Sequence, residues 1–215
     1  MSKEALVIKR DVLFGSNEFQ GFVPISERDL SQIILDKKNH FYHSRGEDLE
    51  KNESLQQVIP YVWIVNPDLK RVFLYKRELN QSKEEGEFKE TRYLNKFSGG
   101  VGGHIDRDTE EGTDKPIENA MMRELQEEVE MGEYNLPRIV GYINDDSDSI
   151  GKVHFGVVAI AHTNGDVSSK SSEGLSPGGF YSVEEVDFIF SSSENEVENW
   201  TKMSWPFVKE YLSKL

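Results

Sequence analysis

Apolar residues fall in discrete runs along the chain. The densest is Val58–Val65 (VIPYVWIV), followed after Asn66-Pro67-Asp68 by Arg71–Arg77 (RVFLYKR). β-Branched and aromatic residues on both sides of a turn signal predict a β-hairpin. Further strands are expected at Leu6–Leu13, at Ile139–Ile143 and at Lys152–Ala161 (KVHFGVVAIA), the last two flanking an acidic turn over Asn144–Ser149. Helical spacing takes over elsewhere. Ser26, with Asp29 three residues on, reads as an N-cap opening a helix through Leu30, Ile33 and Ile34 to about Lys37. At about 100° per residue, Ile117, Met121, Met122, Leu125 and Val129 share one arc, which predicts a helix over Ile117–Met131. Ser182 reads as the cap of a short helix over Val183–Phe190, and Glu196–Leu212 as a last helix interrupted at Pro206. Residues 39–56 are polar and mixed, anchored by Phe41 and Tyr42, while Gln81–Glu90, Ser168–Gly174 and Ser191–Asn199 read as loops. Strands outnumber helices and no internal repeat is evident. The class expected is α+β, with residues 1–57 as an N-terminal extension packed on a domain spanning 58–215.

Composition narrows the chemistry. The 215 residues contain no cysteine, which removes disulfides, zinc–thiolate sites and cysteine nucleophiles. No apolar run approaches the roughly 20 residues that span a bilayer, and MSKEALVIKRDVLFG is broken by charge too early for a secretory leader. A cytoplasmic location is the default expectation. The net charge of −14 argues against binding a nucleic acid polymer, which depends on Lys and Arg at phosphates. The charge is also uneven. Residues 106–130 hold ten acidic and three basic side chains, a net −7.

Part of that concentration has helical order. Glu124, Glu127 and Glu128 stand at i, i+3 and i+4, beside the apolar arc. Three like charges on one helix face repel one another, and a divalent cation with hard oxygen ligands relieves them. Arg123 lies next to this face and can orient a carboxylate. His104 and His154 read more readily as packed or hydrogen-bonded residues than as catalysts, and Asn144–Asp148 as a turn rather than a metal loop.

Arg123-Glu124-Leu125-Gln126-Glu127-Glu128 resembles the REUxEE core of the Nudix box, GX5EX7REUXEEXGU with U apolar, and follows a glycine-rich segment, Gly102-Gly103-His104-Ile105, of the kind that opens that box. Two positions depart from the pattern. The motif would put its first glycine at Thr109 and its first glutamate at Lys115. With Gly103 as the opening glycine, a six-residue insertion falls around Arg107–Lys115, and either Glu110 or Glu111 stands in for the missing glutamate. Glu130 occupies the place of the later glycine, whereas Met131 fits the apolar position after it. Val58–Arg77 resembles the opening hairpin of such a domain, and Ser172-Glu173-Gly174 with Phe180-Tyr181-Ser182 resembles the downstream glutamate loop and aromatic strand of MutT-like members. The chain is similar over about residues 58–190 to a branch known as predicted phosphoesterases.

The resemblance implies a Nudix-like α/β/α sandwich with a mixed β-sheet. It implies Mg²⁺- or Mn²⁺-dependent hydrolysis of a pyrophosphate bond in a nucleoside diphosphate linked to another group. Glu124, Glu127 and Glu128 would hold the cation with the carbonyl of Gly103, and Glu173 or Glu127 would be the general base. Arg123 would orient a carboxylate, while Arg77 and His104 would meet the substrate. The partner implied is a small nucleotide-like diphosphate, with no membrane and with a homodimer as a family-level expectation. Three other readings stand beside this one: a Nudix-fold binding or regulatory module without turnover, an isopentenyl-diphosphate isomerase lacking its usual cysteine, and an acidic interaction protein.

Overall fold

The computed structural model describes residues 3–78, 94–170 and 175–215. Its elements, in chain order, are β1 (Glu4–Lys9), α1 (Arg10–Phe14), β2 (Gly21–Pro24), α2 (Ser31–Ile34), β3 (Phe41–Ser44), α3 (Glu47–Glu50), β4 (Leu55–Asn66) and β5 (Arg71–Lys76). There follow β6 (Phe97–Ser98), β7 (Gly100–Val101), α4 (Arg107–Glu110), α5 (Pro116–Glu128), β8 (Val129–Met131) and β9 (Arg138–Asn144). The last are β10 (His154–His162), β11 (Val167–Ser169), β12 (Gly179–Tyr181), α6 (Val183–Ser191) and α7 (Asn199–Ser213). The α+β class expected from the pattern holds.

The hairpin forms where the apolar runs predict it. β4 and β5 pair antiparallel, Val65 opposite Val72 and Asn66 opposite Arg71. In the turn, Asn66 Oδ1 accepts from the Leu69 amide at 2.9 Å and Lys70 adopts a positive φ of 51°. Several expectations change, among them the Ser168–Gly174 loop, whose first two residues lie in β11. The strand foreseen over Leu6–Leu13 stops at Lys9 and becomes α1, because Leu13 and Phe14 reach the core from helical backbone. The helix foreseen from Ser26 shrinks to the single turn of α2. The helix over Ile117–Met131 ends at Glu128, since Val129–Met131 is drawn into antiparallel pairing with β11. Pro206 does not interrupt the last helix, which runs through it with the proline on its exposed side. Gln81–Glu90 lies outside the described residues.

The chain forms two compact units, each assembled from three stretches: Met1–Tyr61, Gly102–Met122 and Ile139–Ala159 in the first, and Val62–Val101, Arg123–Arg138 and Ile160–Leu215 in the second. In the first unit the strand order β4–β10–β9–β2 is extended by β1, which pairs antiparallel with both β3 (Leu6 opposite Tyr42) and β4 (Val7 opposite Gln57). Val7, Leu49 and Leu55 are buried together with Phe41 packed on them, and Phe155 is met by Phe14 and Tyr142 at ring distances of 5.7 and 5.8 Å. Gly102 is required by space. A Cβ there would lie 1.8 Å from the carbonyl oxygen of Pro60.

In the second unit the order is β12–β5–β4, with β6 on β5, β7 on β4, and β8 paired with β11. Trp63 stacks on Trp205 of α7 at 6.0 Å and donates its indole N–H to Ser204 Oγ at 3.0 Å. α6 starts with the capping box that its sequence advertises, Ser182 accepting from the Glu185 amide and Glu185 accepting from the Ser182 amide. Among the described residues no helix is long and apolar enough to cross a membrane.

Candidate active site

Helix α5 carries the densest chemistry. Pro116 begins it, a residue whose fixed φ suits the first helical turn and whose missing N–H would have had no partner there. Ile117, Ala120, Met121 and Leu125 are buried, and Met122 is half-buried. That apolar stripe sets the rotation of the helix and hence where the carboxylates stand. In the second unit, Arg123 Nη1 donates to Glu124 Oε1 and to Glu127 Oε2, both at 2.8 Å. Glu124 is only 10% exposed at its side chain and Arg123 18%, whereas Glu127 is 53% exposed. One guanidinium therefore ties a buried carboxylate to an exposed one on the same face, and Glu128, half-buried, follows on the last turn.

The C-terminal end of α5 is held by a residue that sequence reasoning missed. Lys170 donates its backbone N–H to the Glu128 carbonyl at 2.8 Å and its Nζ to the Gln126 carbonyl at 2.6 Å. A cation on terminal carbonyls complements the helix dipole and fixes the turn that bears Glu127 and Glu128. No local signal marks Lys170, because its partners lie some forty residues earlier in the chain. The carboxylate oxygens of Glu124, Glu127 and Glu128 are not gathered within 4.8 Å of one another, although oxygens of this kind are the ligands that a hard divalent ion such as Mg²⁺ or Mn²⁺ takes.

The other candidate residues are distributed as follows. Arg77 belongs to a second-unit network: its Nε donates to Glu198 Oε1 at 2.9 Å and its Nη2 to the Tyr75 hydroxyl at 3.2 Å. Glu198, 5% exposed, also accepts from Ser98 Oγ at 2.6 Å. Burial raises the Tyr75 phenol above its ordinary range, so it stays neutral and donates to the Gly100 carbonyl at 2.6 Å. Glu198 and Ser98 were not singled out from sequence, since the pairing joins positions about a hundred residues apart. Gly103 and His104 lie in the first unit, where His104 Nε2 is 2.9 Å from Gln57 Oε1. Of the two stand-ins for the missing box glutamate, Glu110 is buried and accepts from the Asp106 amide at 2.8 Å, while Glu111 is exposed and faces Arg107. Tyr42 is pushed up to about 12 by burial first and then by the charges of Glu110 and Glu111. Glu173 lies outside the described residues.

The sequence is 32% identical over 213 residues to Protein YmaB of Bacillus subtilis (strain 168), with 94% of this chain and 95% of that protein covered. The chain belongs to the YmaB family. Among solved structures, this member of the YmaB family resembles Tm1382, a candidate Nudix hydrolase, with a TM-score of 0.73 at 23% identity, covering 97% of this chain and 99% of that one. DR0079 from Deinococcus radiodurans gives a TM-score of 0.51 at 13% identity, covering 83% and 94%. No family model matches the sequence. The fold of this YmaB-family chain is that of the Nudix hydrolases, as the helix motif and its flanking strands imply.

Proposed function

We propose that the chain hydrolyses a pyrophosphate bond in a nucleoside diphosphate linked to a second group, with Mg²⁺ or Mn²⁺ held by Glu124, Glu127 and Glu128. The observation that carries this reading is the double grip of Arg123 on Glu124 and Glu127, which holds two carboxylates on one helix face against their mutual repulsion. The Nudix fold around that helix supports it. A bound ion would supply the positive charge that anionic phosphates need and would acidify a water. Arg123 fixes the carboxylate rotamers, and Lys170 steadies the turn beneath them. Glu127, exposed and within reach of solvent, is a candidate general base, with Glu173 as the other. In the same reading Arg77, of the second unit as Glu124, Glu127 and Glu128 are, meets the substrate.

A second reading, a nucleotide-binding or regulatory module without turnover, is favoured by Lys115 and Glu130 at box positions where the motif wants glutamate and glycine. The experiment that separates them is phosphate release from a panel of nucleoside diphosphate conjugates and dinucleotides with Mg²⁺ or Mn²⁺, wild type beside Glu127→Gln. Metal-dependent turnover that falls on the order of 100-fold or more in the variant is expected, because removing a direct ligand costs at least what losing its outer supports costs. Folded wild-type protein that releases nothing across the panel supports the module. Equal activity in both proteins would mean that other carboxylates carry the chemistry.

A further inference from the structure

A second cluster of metal-ligating side chains lies in the first unit, built from three separate stretches of chain. Glu50 ends α3, His104 follows β7, and His154 opens β10. Each offers one donor atom, a carboxylate oxygen or a ring nitrogen, and the three atoms lie within 4.8 Å of one another. Among the described residues this is the one group of histidine and acidic side chains gathered so closely. The two imidazoles meet edge to face at 5.5 Å between centroids, and His154 is only 7% exposed.

The hydrogen bonds around the rings carry the argument. His154 Nδ1 lies 2.7 Å from the Ile150 carbonyl, an acceptor, so Nδ1 carries the proton and Nε2 presents a lone pair. His104 Nε2 lies 2.9 Å from Gln57 Oε1, also an acceptor, which leaves Nδ1 as the lone-pair nitrogen. The Gln57 amide is oriented in turn, since its Nε2 donates to Glu50 Oε1 at 3.2 Å. Gln57 is fully buried on β4 and Leu49 anchors α3 in the core, so both supports are rigid. One ring nitrogen given to an oxygen, with the other turned to a ligand position, is how metal-binding histidines are held in the right tautomer.

We propose that Glu50, His104 and His154 form a metal centre that takes a borderline ion of the Zn²⁺ class and discriminates against Mg²⁺. Three atoms within 4.8 Å of one another share a centre no more than about 2.8 Å from each, against about 2.0–2.2 Å for zinc bound to imidazole and carboxylate. Closing the site therefore takes about 0.6–0.8 Å per ligand, within the reach of side-chain torsions. Two imidazoles select zinc, cobalt or nickel over magnesium or calcium, which prefer all-oxygen shells. Three protein ligands leave a fourth position for water. The inference gives His104 a ligand's role in place of substrate contact, and it does not depend on turnover at Glu124, Glu127 and Glu128.

The test is calorimetric titration of metal-free, full-length protein with ZnCl₂ or CoCl₂ in millimolar Mg²⁺, for wild type, His104→Gln, Glu50→Gln and Glu127→Gln. Circular dichroism confirms folding, and X-ray absorption on the zinc-loaded protein counts imidazoles. One equivalent bound by wild type and by Glu127→Gln, two imidazoles at the ion, and affinity lower by about 100-fold or more in His104→Gln and Glu50→Gln are expected. If His104→Gln does not fold, Glu50→Gln, at a half-buried helix end, gives the same reading. Absence of zinc binding in wild type overturns the proposal. So does binding that survives in folded Glu50→Gln and His104→Gln, or that is lost only in Glu127→Gln.

Discussion

Replacing Arg123 by methionine keeps the length and apolar stem of the side chain and removes the charge. Two carboxylates then lose the guanidinium that each meets at 2.8 Å. Their costs differ. Glu127 is about half exposed and its pair contributes under about 1 kcal/mol, because water screens it. Glu124 is 10% exposed, and taking the Arg123 guanidinium from a buried carboxylate costs about 3–5 kcal/mol. The sum is about 4 kcal/mol, which for a chain of this size lowers Tm by about 8–16 °C. The assay is urea denaturation at neutral pH with EDTA present, run as a cycle with Glu124→Gln. If Arg123 acts by neutralising Glu124, Arg123→Met in the Glu124→Gln background costs less than about 1 kcal/mol, since only the exposed pair remains. An equal loss in both backgrounds would refute the reasoning and reassign Arg123 to packing.

Two further outcomes follow from other features. Gly102→Ala sets a methyl group 1.8 Å from a backbone oxygen of Pro60 that cannot swing aside, so the strands must part; a loss of about 3 kcal/mol or more is expected, and a urea midpoint within error of wild type would show that the backbone yields. His162, beside the Tyr211 hydroxyl at 2.8 Å, is held below its ordinary value of 6.5 by burial. The unfolded chain takes up this proton first, so the contribution is fully present above about pH 6.5 and is lost as pH falls through the lower folded value. In His162→Gln that part of the pH dependence of Tm disappears, and an NMR titration of His162 at or above 6.5 would sink the idea.

Legibility from sequence followed the range of the interactions. The β4–β5 hairpin, the Ser182 cap and the apolar face of α5 are local patterns, written in Val58–Arg77, in Ser182 with Glu185, and in Ile117, Met121 and Leu125. The errors lie where tertiary contacts override a local period. Val129 continues the helical arc of α5, yet pairing with Ser169 wins. Leu13 fits a strand or a helix equally well until the chain turns at Lys9. Pro206 reads as a break because the pattern does not show that its ring would face solvent. The site divides the same way: Arg123, Glu124, Glu127 and Glu128 are neighbours in sequence, while Lys170, Glu198 and the Glu50–Gln57–His104 chain join residues whose proximity only folding creates.

The interleaving of the two units bears on how the protein is made. The first unit closes only with Ile139–Ala159, and the second begins at Val62 but needs everything to the last helix. During synthesis, β1 and β3 emerge early with Ala5, Leu6, Val7 and Ile8 destined for burial, yet the β9 and β10 strands that complete their unit arrive about a hundred residues later. β1 has both its partners, β3 and β4, early, whereas the edge of β4 that takes β10 waits for a strand that begins at His154, and until then it is an apolar edge open to wrong pairing.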